Sequence, residues 1–219
     1  MRNLRMNKLT FTISAAVVSS LFTIGTASAD FTGMEYETVE NNMSGLTTWR
    51  IYVGVDVGGE LDAVYGDESN TLSVSSDSGF EQNGFGGWGT PNAALFVVFP
   101  SLEFDSFVTI GLLDDAGDNM LSIGIDYADF EAGGNISTDN GTWFATPADA
   151  QVNEVDGRVL VGQFTVGDSD HVFGQMSLQG KNADLSNWYA DGVSFDTAPA
   201  PGALALLGLA GIAARRRRK

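Results

Sequence analysis

The chain predicts an all-β fold, an antiparallel two-sheet sandwich of about ten short strands, with a jelly roll among the arrangements that the pattern allows. Three observations lead there. Apolar and polar residues alternate with period two through much of the body. β-branched and aromatic side chains crowd the alternating stretches. Between them stand steps that supply the left-handed backbone of tight turns, at Gly58-Gly59, Gly133-Gly134-Asn135, Asp139-Asn140-Gly141 and Asp156-Gly157.

The clearest element is Trp49 to Val55, where Trp49, Ile51, Val53 and Val55 point to one face and Arg50 and Tyr52 to the other. The first face is the expected core. Leu61 to Tyr65 and Thr71 to Ser75 continue as strands between the glycine pair and a polar run. Their apolar content makes Ala93 to Phe99, Glu103 to Leu113 and Met120 to Tyr127 the next three. Thr142 to Ala145 follows the Asp-Asn-Gly turn, Arg158 to Val166 follows Asp156-Gly157, and His171 to Leu178 and Trp188 to Phe195 close the series. Pro147 suits a helix start, so Pro147 to Val152 reads as a single helical turn. The segment Gly79 to Gly89 interleaves Phe80, Phe85 and Trp88 with glycines too flexible for a regular strand interior, which makes it an unusual loop.

The two ends of the chain read as addresses rather than as fold. Arg2, Arg5 and Lys8 precede an apolar stretch from about Leu9 to Ile24, and Ala27-Ser28-Ala29 follows. This is the three-part pattern of a cleavable signal peptide spanning residues 1–29, with Ala27 and Ala29 as the small residues at the cleavage site and signal peptidase as the implied partner. An N-terminal membrane helix is the alternative, disfavoured by the shortness of the apolar stretch. At the other end, residues 198–219 hold Pro199-Ala200-Pro201, an apolar run from Gly202 to Ala214, and Arg215, Arg216, Arg217, Arg218 and Lys219. The run is short against the roughly 20 residues of a membrane-crossing helix, and the basic cluster would hold its end on the cytoplasmic side.

That order of proline motif, Gly/Ala/Leu segment and terminal arginines resembles the PEP-CTERM sorting signal of exosortase substrates. The resemblance covers about the last 22 residues, with Pro199, Pro201 and Arg215 to Arg218 as the matching positions. It departs from the pattern at Ala200, where the family has Glu. It implies transient membrane anchoring by the tail, processing by an exosortase-type enzyme, and delivery to the cell envelope surface or extracellular matrix. The physical logic is that of a weak apolar tail removed from the mature protein.

Residues 30–197 form one domain by length. All 28 acidic residues fall here against three basic ones, Arg50, Arg158 and Lys181, a formal charge of −25. Such a field repels nucleic acid and anionic lipid. It suits solubility, spacing in a matrix, or divalent-cation binding. No cysteine occurs and His171 is the sole histidine, which excludes structural zinc sites, haem attachment and cysteine nucleophiles.

Calcium is the cofactor that acidic loops point to, and Asp114, Asp115, Asp118 and Asn119 are the candidate ligands, in a turn between two expected strands. They lack EF-hand spacing, and an acidic hairpin turn explains them as well. Asp126, Asp129 and Glu131 form a second cluster. Extracellular polysaccharide is the candidate ligand of Trp88, Trp143, Trp188 and Tyr189, whose flat faces can stack on sugar rings. Trp88 is the foremost of these because glycines surround it. Catalysis has weaker footing: His171 in Asp168-Ser169-Asp170-His171 lacks a nucleophile elbow, and Glu103 and Asp105 would share one strand face as a carboxylate pair. The reading is therefore a non-enzymatic exported protein of the envelope or matrix, with a calcium-assisted carbohydrate-binding module as the alternative and a glycan hydrolase behind both.

Overall fold

The computed structural model describes residues 31–198, and among these described residues eleven strands build two antiparallel sheets, as the alternation requires. The signal segment with Ala27 and Ala29, and the tail with Pro199, Pro201 and Arg215 to Arg218, lie outside the described residues. Among the described residues no helix is long and apolar enough to cross a membrane.

The smaller sheet has the order β1-β2-β9-β5, from β1 (Phe31–Val39), β2 (Leu46–Val55), β5 (Phe107–Val108) and β9 (Arg158–Gly167). The larger sheet is organised by β10 (Phe173–Lys181). Along one side of β10 runs β11 (Asn187–Asp196); along the other, β3 (Glu60–Gly66) and β4 (Leu72–Ser75) lie end to end. β8 (Gly141–Phe144) extends the sheet from β3, β6 (Leu121–Ile123) extends it from β8, and β7 (Ile136–Thr138) pairs β4. A short helix, α1 (Ala128–Glu131), sits between β6 and β7.

The core lies between the sheets. Ile51, Val53 and Val55 of β2 face it, as their spacing predicts, while Trp49 is partly buried against it. β9 and β10 contribute Val161, Phe164, Met176 and Leu178. Trp143 of β8 is completely buried, and its indole N–H donates to the Thr109 carbonyl at 3.2 Å, tying the larger sheet to the chain leaving β5. A buried indole N–H usually finds such a partner, and the one on Trp143 does, unlike those of Trp49 and Trp188 among the described residues.

Three expected strands differ. Ala93 to Phe99 is a single 3-10 turn, Ala93–Leu95, started by the Asn92 side chain accepting from the Ala94 amide, and Val97 and Val98 stand 90% and 67% exposed. Glu103 to Leu113 is a 3-10 helix, Pro100–Phe104, followed by the two-residue β5. Met120 to Tyr127 contributes only β6. Strands β1 and β7 and helix α1 were not expected; the turn expected over Pro147 to Val152 is present as the 3-10 turn Ala150–Val152.

Replacing Trp143 by Ala should cost about 3–5 kcal/mol in urea unfolding. Trp143→Phe, which keeps most of the volume and loses the inter-sheet hydrogen bond, should cost roughly 1–3 kcal/mol. Equal, small losses in both would show that the indole does not join the sheets.

Candidate functional site

The glycine-interleaved loop is anchored at both ends by aromatics. Phe80 is buried, its ring centroid 5.5 Å from Phe130 and 5.3 Å from Phe164. Trp88 packs partly buried against the core, stacked on Tyr127 at 4.6 Å with the planes 9° apart. Tyr127 is fixed in turn by a 3.0 Å hydrogen bond between its hydroxyl and Ser122 Oγ. Backbone contacts complete the anchoring: the Trp88 carbonyl accepts from the Val108 amide at 2.8 Å, and the Trp88 amide donates to Glu131 Oε1 at 3.2 Å.

Between the anchors the chain folds over Asp105. That carboxylate is buried; Oδ1 accepts from the Asn83 amide at 2.7 Å, and a Cβ on Gly86 would overlap Oδ2. Glycine is thus required at position 86 by close approach. Burial pushes Asp105 up to about 6, the amides of Asn83 and Ser106 oppose the rise, and the charge of Glu81 adds to it. The expectation that Glu103 and Asp105 pair on a strand face is corrected here. Glu103 is exposed within the 3-10 helix and Asp105 is turned into the loop, because proline at the first helical position starts a 3-10 turn there instead of a strand.

The result is an open cleft of about 500 Å³. One wall is the loop from Phe85 through Trp88 to Asn92; the other carries Met120 and the carboxylates of Asp115, Asp118 and Glu131. The expected aromatic site and half of the expected metal set therefore meet in one place. Asp115 Oδ1 accepts from the Ala93 amide; Asp118 accepts from Thr90 Oγ1, the Met120 amide and Gln151 Nε2. Asp114 closes its own turn by accepting from the Ala116 amide, and Asn119 faces away toward Asp149 and Gln151. Among the described residues no group of three or more acidic or histidine side chains is placed to hold one metal ion.

The other expected residues lie elsewhere. Trp143 and Trp188 are buried, while Tyr189 is 58% exposed on β11. His171 faces Asp196 at 3.6 Å and Phe173, and the neighbouring Asp170 accepts from Ser78. Tyr127 and Glu131, which support Trp88, were missed as a pair with it; their spacing from the glycine loop carries no local signal. No protein-family model, curated protein or solved structure matches the chain.

Asp105 sets a pH dependence. Its folded value lies above the unfolded 3.8, so protonation favours the fold: the stabilisation is complete below the unfolded value and lost as pH rises through about 6. Acidifying from pH 7.5 to 5 should raise stability by about 1 kcal/mol from this group. Urea midpoints across that range should rise toward acid, and the rise should shrink in Asp105→Asn; an unchanged slope in the variant would remove Asp105 from the account.

Proposed function

We propose that this is a non-enzymatic exported protein, sorted to the cell envelope or extracellular matrix by its PEP-CTERM-like tail, whose body holds polysaccharide at the Trp88 cleft. The observation that carries the binding part is the Trp88 ring, backed by Tyr127 and set in the wall of an open cleft. A flat aromatic face held rigid against a second ring offers a sugar an apolar platform at little entropic cost. The carboxylates of Asp115, Asp118 and Glu131 around it can accept hydrogen bonds from hydroxyl groups.

The export part rests on the terminal segments. It is supported by a charge of −25 across residues 30–197, suited to a soluble body spaced apart in a matrix. Calcium is a second reading of the same cleft, favoured by Asp115 and Asp118 lying together in its wall; a polysaccharide that brings its own oxygen ligands would complete the shell.

Intact mass of protein from envelope and medium fractions should begin at Asp30 and end near Pro199. A species running through Lys219 in the membrane fraction would refute processing of the tail. Trp88→Ala should weaken polysaccharide retention about tenfold, which corresponds to about 1.4 kcal/mol. Retention insensitive to both this change and chelator would discard the cleft and calcium together.

A further inference from the structure

The larger sheet carries a second recess, on the face turned away from the core. Directly opposed residues of antiparallel neighbours place their side chains on one face. Leu121 pairs Phe144, Phe144 pairs Ala63, Ala63 pairs Gln179 and Gln179 pairs Tyr189, so one row crosses five strands from β6 to β11. At a strand spacing of about 4.8 Å the row is roughly 19 Å long. Ala63 at its centre is the shortest side chain, and the floor drops there between Phe144 and Gln179. The resulting groove measures about 660 Å³ and is lined by Ala63, Phe144 and Gln179 of the row together with Tyr65, Lys181 and Asn187; Leu121 and Tyr189 stand at the two ends of the row, beyond the groove itself.

Asp62 stands at this groove for a specific reason. Leu61 pairs Gly180 and Ala63 pairs Gln179, so two steps along β3 match one along β10, and Asp62 is the extra residue of a β-bulge. The bulge lets Leu61 and Val64 both reach the core while Asp62 joins Ala63 and Tyr65 in lining the groove. Bulges re-aim side chains in this way beside functional sites. Asp62 is 5% exposed; both of its carboxylate oxygens are closed to solvent and neither has a hydrogen-bond partner among the described residues, so a ligand hydroxyl reaches them only when a lining side chain moves aside. A buried carboxylate without partners is costly, and a fold retains one at a cost in stability.

We propose that this groove is a glycan-binding site in which Asp62 accepts hydrogen bonds from the hydroxyls of a neutral sugar chain lying along the row from Phe144 to Tyr189. The ligand class follows from the groove's chemistry. The lining carries one anion, Asp62, and one cation, Lys181, and the charge of Glu60 also reaches Asp62, so the site and the −25 body alike disfavour a polyanion and suit an uncharged ligand. Gln179, Asn187 and Lys181 donate, Asp62 accepts, and Phe144 and Tyr189 supply apolar faces, which is what a ring with hydroxyl edges and a C–H face requires. The inference takes from the preceding reading only that the body binds a glycan; the groove is separate from the Trp88 cleft, on the far side of β6, where Met120 lines the cleft and Leu121 heads the row.

The test is binding of cellohexaose, xylan, mannan and dextran, with alginate as the anionic counterpart, by the full body carrying Asp62→Asn, Tyr189→Ala or Trp88→Ala. The expected result is binding of at least one neutral probe, weakened about tenfold or more by Asp62→Asn and by Tyr189→Ala. Asp62→Asn should at the same time raise the thermal midpoint, since it removes an unpaired buried charge, and Tyr189→Ala should leave it unchanged. A group serving structure alone would not separate binding from stability in that direction. Neutral-glycan binding lost in Trp88→Ala but unaltered in the other two would overturn the groove and leave the cleft standing. Binding of alginate alone, or of no probe, would overturn the groove outright.

Discussion

The hydrogen bonds that β9 sends outward from the core govern how the irregular third of this domain is held. Gln163 Nε2 donates to the carbonyls of Glu103 and Asp105 at 2.9 and 3.1 Å, and Thr165 Oγ1 donates to the Phe104 carbonyl at 2.5 Å. Ser106 Oγ accepts from the Thr165 amide, and Gln163 Oε1 accepts from Arg50. These polar groups are on the face of the small sheet opposite Ile51 and Val53. A loop laid there would bury its own carbonyls, and each unpaired carbonyl would cost about 1–3 kcal/mol. The side chains of β9 remove that cost and so permit a non-repetitive segment to be buried. Asp105 is placed by this clamp, Asp105 receives the Asn83 amide, and the glycine loop with Trp88 follows from there.

The sequence pattern is legible where burial is one-sided. In β2 one face is core, and period-two alternation from Trp49 to Val55 reports it directly, whereas β9 is buried on both faces and is marked by its apolar, β-branched content instead. β1 shows why the same reading fails at an edge: its residues are half-buried or exposed on both faces, and Phe31–Val39 carries only the brief alternation Met34-Glu35-Tyr36-Glu37. β7 is three residues inside a Gly-Asn turn cluster, too short to rise above its surroundings. Ala93 to Phe99 misled for the opposite reason. Its valines are apolar but exposed, and Pro91-Asn92 starts a capped turn, so composition suggested a strand where the backbone had no sheet to join.

The candidate cleft was partly legible in the same physical sense. Glycines around Trp88 announce a loop that brings backbone close to something, and Asp115 and Asp118 announce an acidic turn. That the two meet is a consequence of the clamp on residues 103–106 and of Val108 pairing Trp88, long-range contacts that leave no local mark. Asp62 was invisible for a further reason. On a regular strand Asp62 would alternate with Leu61 and Ala63; only the mismatch of one residue between β3 and β10 sets it beside Ala63, and register is not written in a single strand.

Charge arithmetic gives the two buried carboxylates their meaning. Three cations cannot pair 28 anions, and Arg158 is already taken by Glu37 at 2.9 Å, Glu35 at 3.7 Å and the face of Tyr52. Most acidic residues meet this shortage by staying in water, where an unpaired charge costs little. Asp105 and Asp62 do not. Both are pushed up to about 6 by burial, with Glu60 adding to the rise of Asp62 and Lys181 opposing it. For Asp105 there is a structural return, the amide of Asn83 and the loop that this amide fixes. Asp62 has no such return within the described residues, so the fold bears its desolvation without an internal gain. An excess of acid that served solubility alone would be confined to the surface; the bulge between β3 and β10 instead turns one carboxylate toward a lined groove, without a protein partner among the described residues.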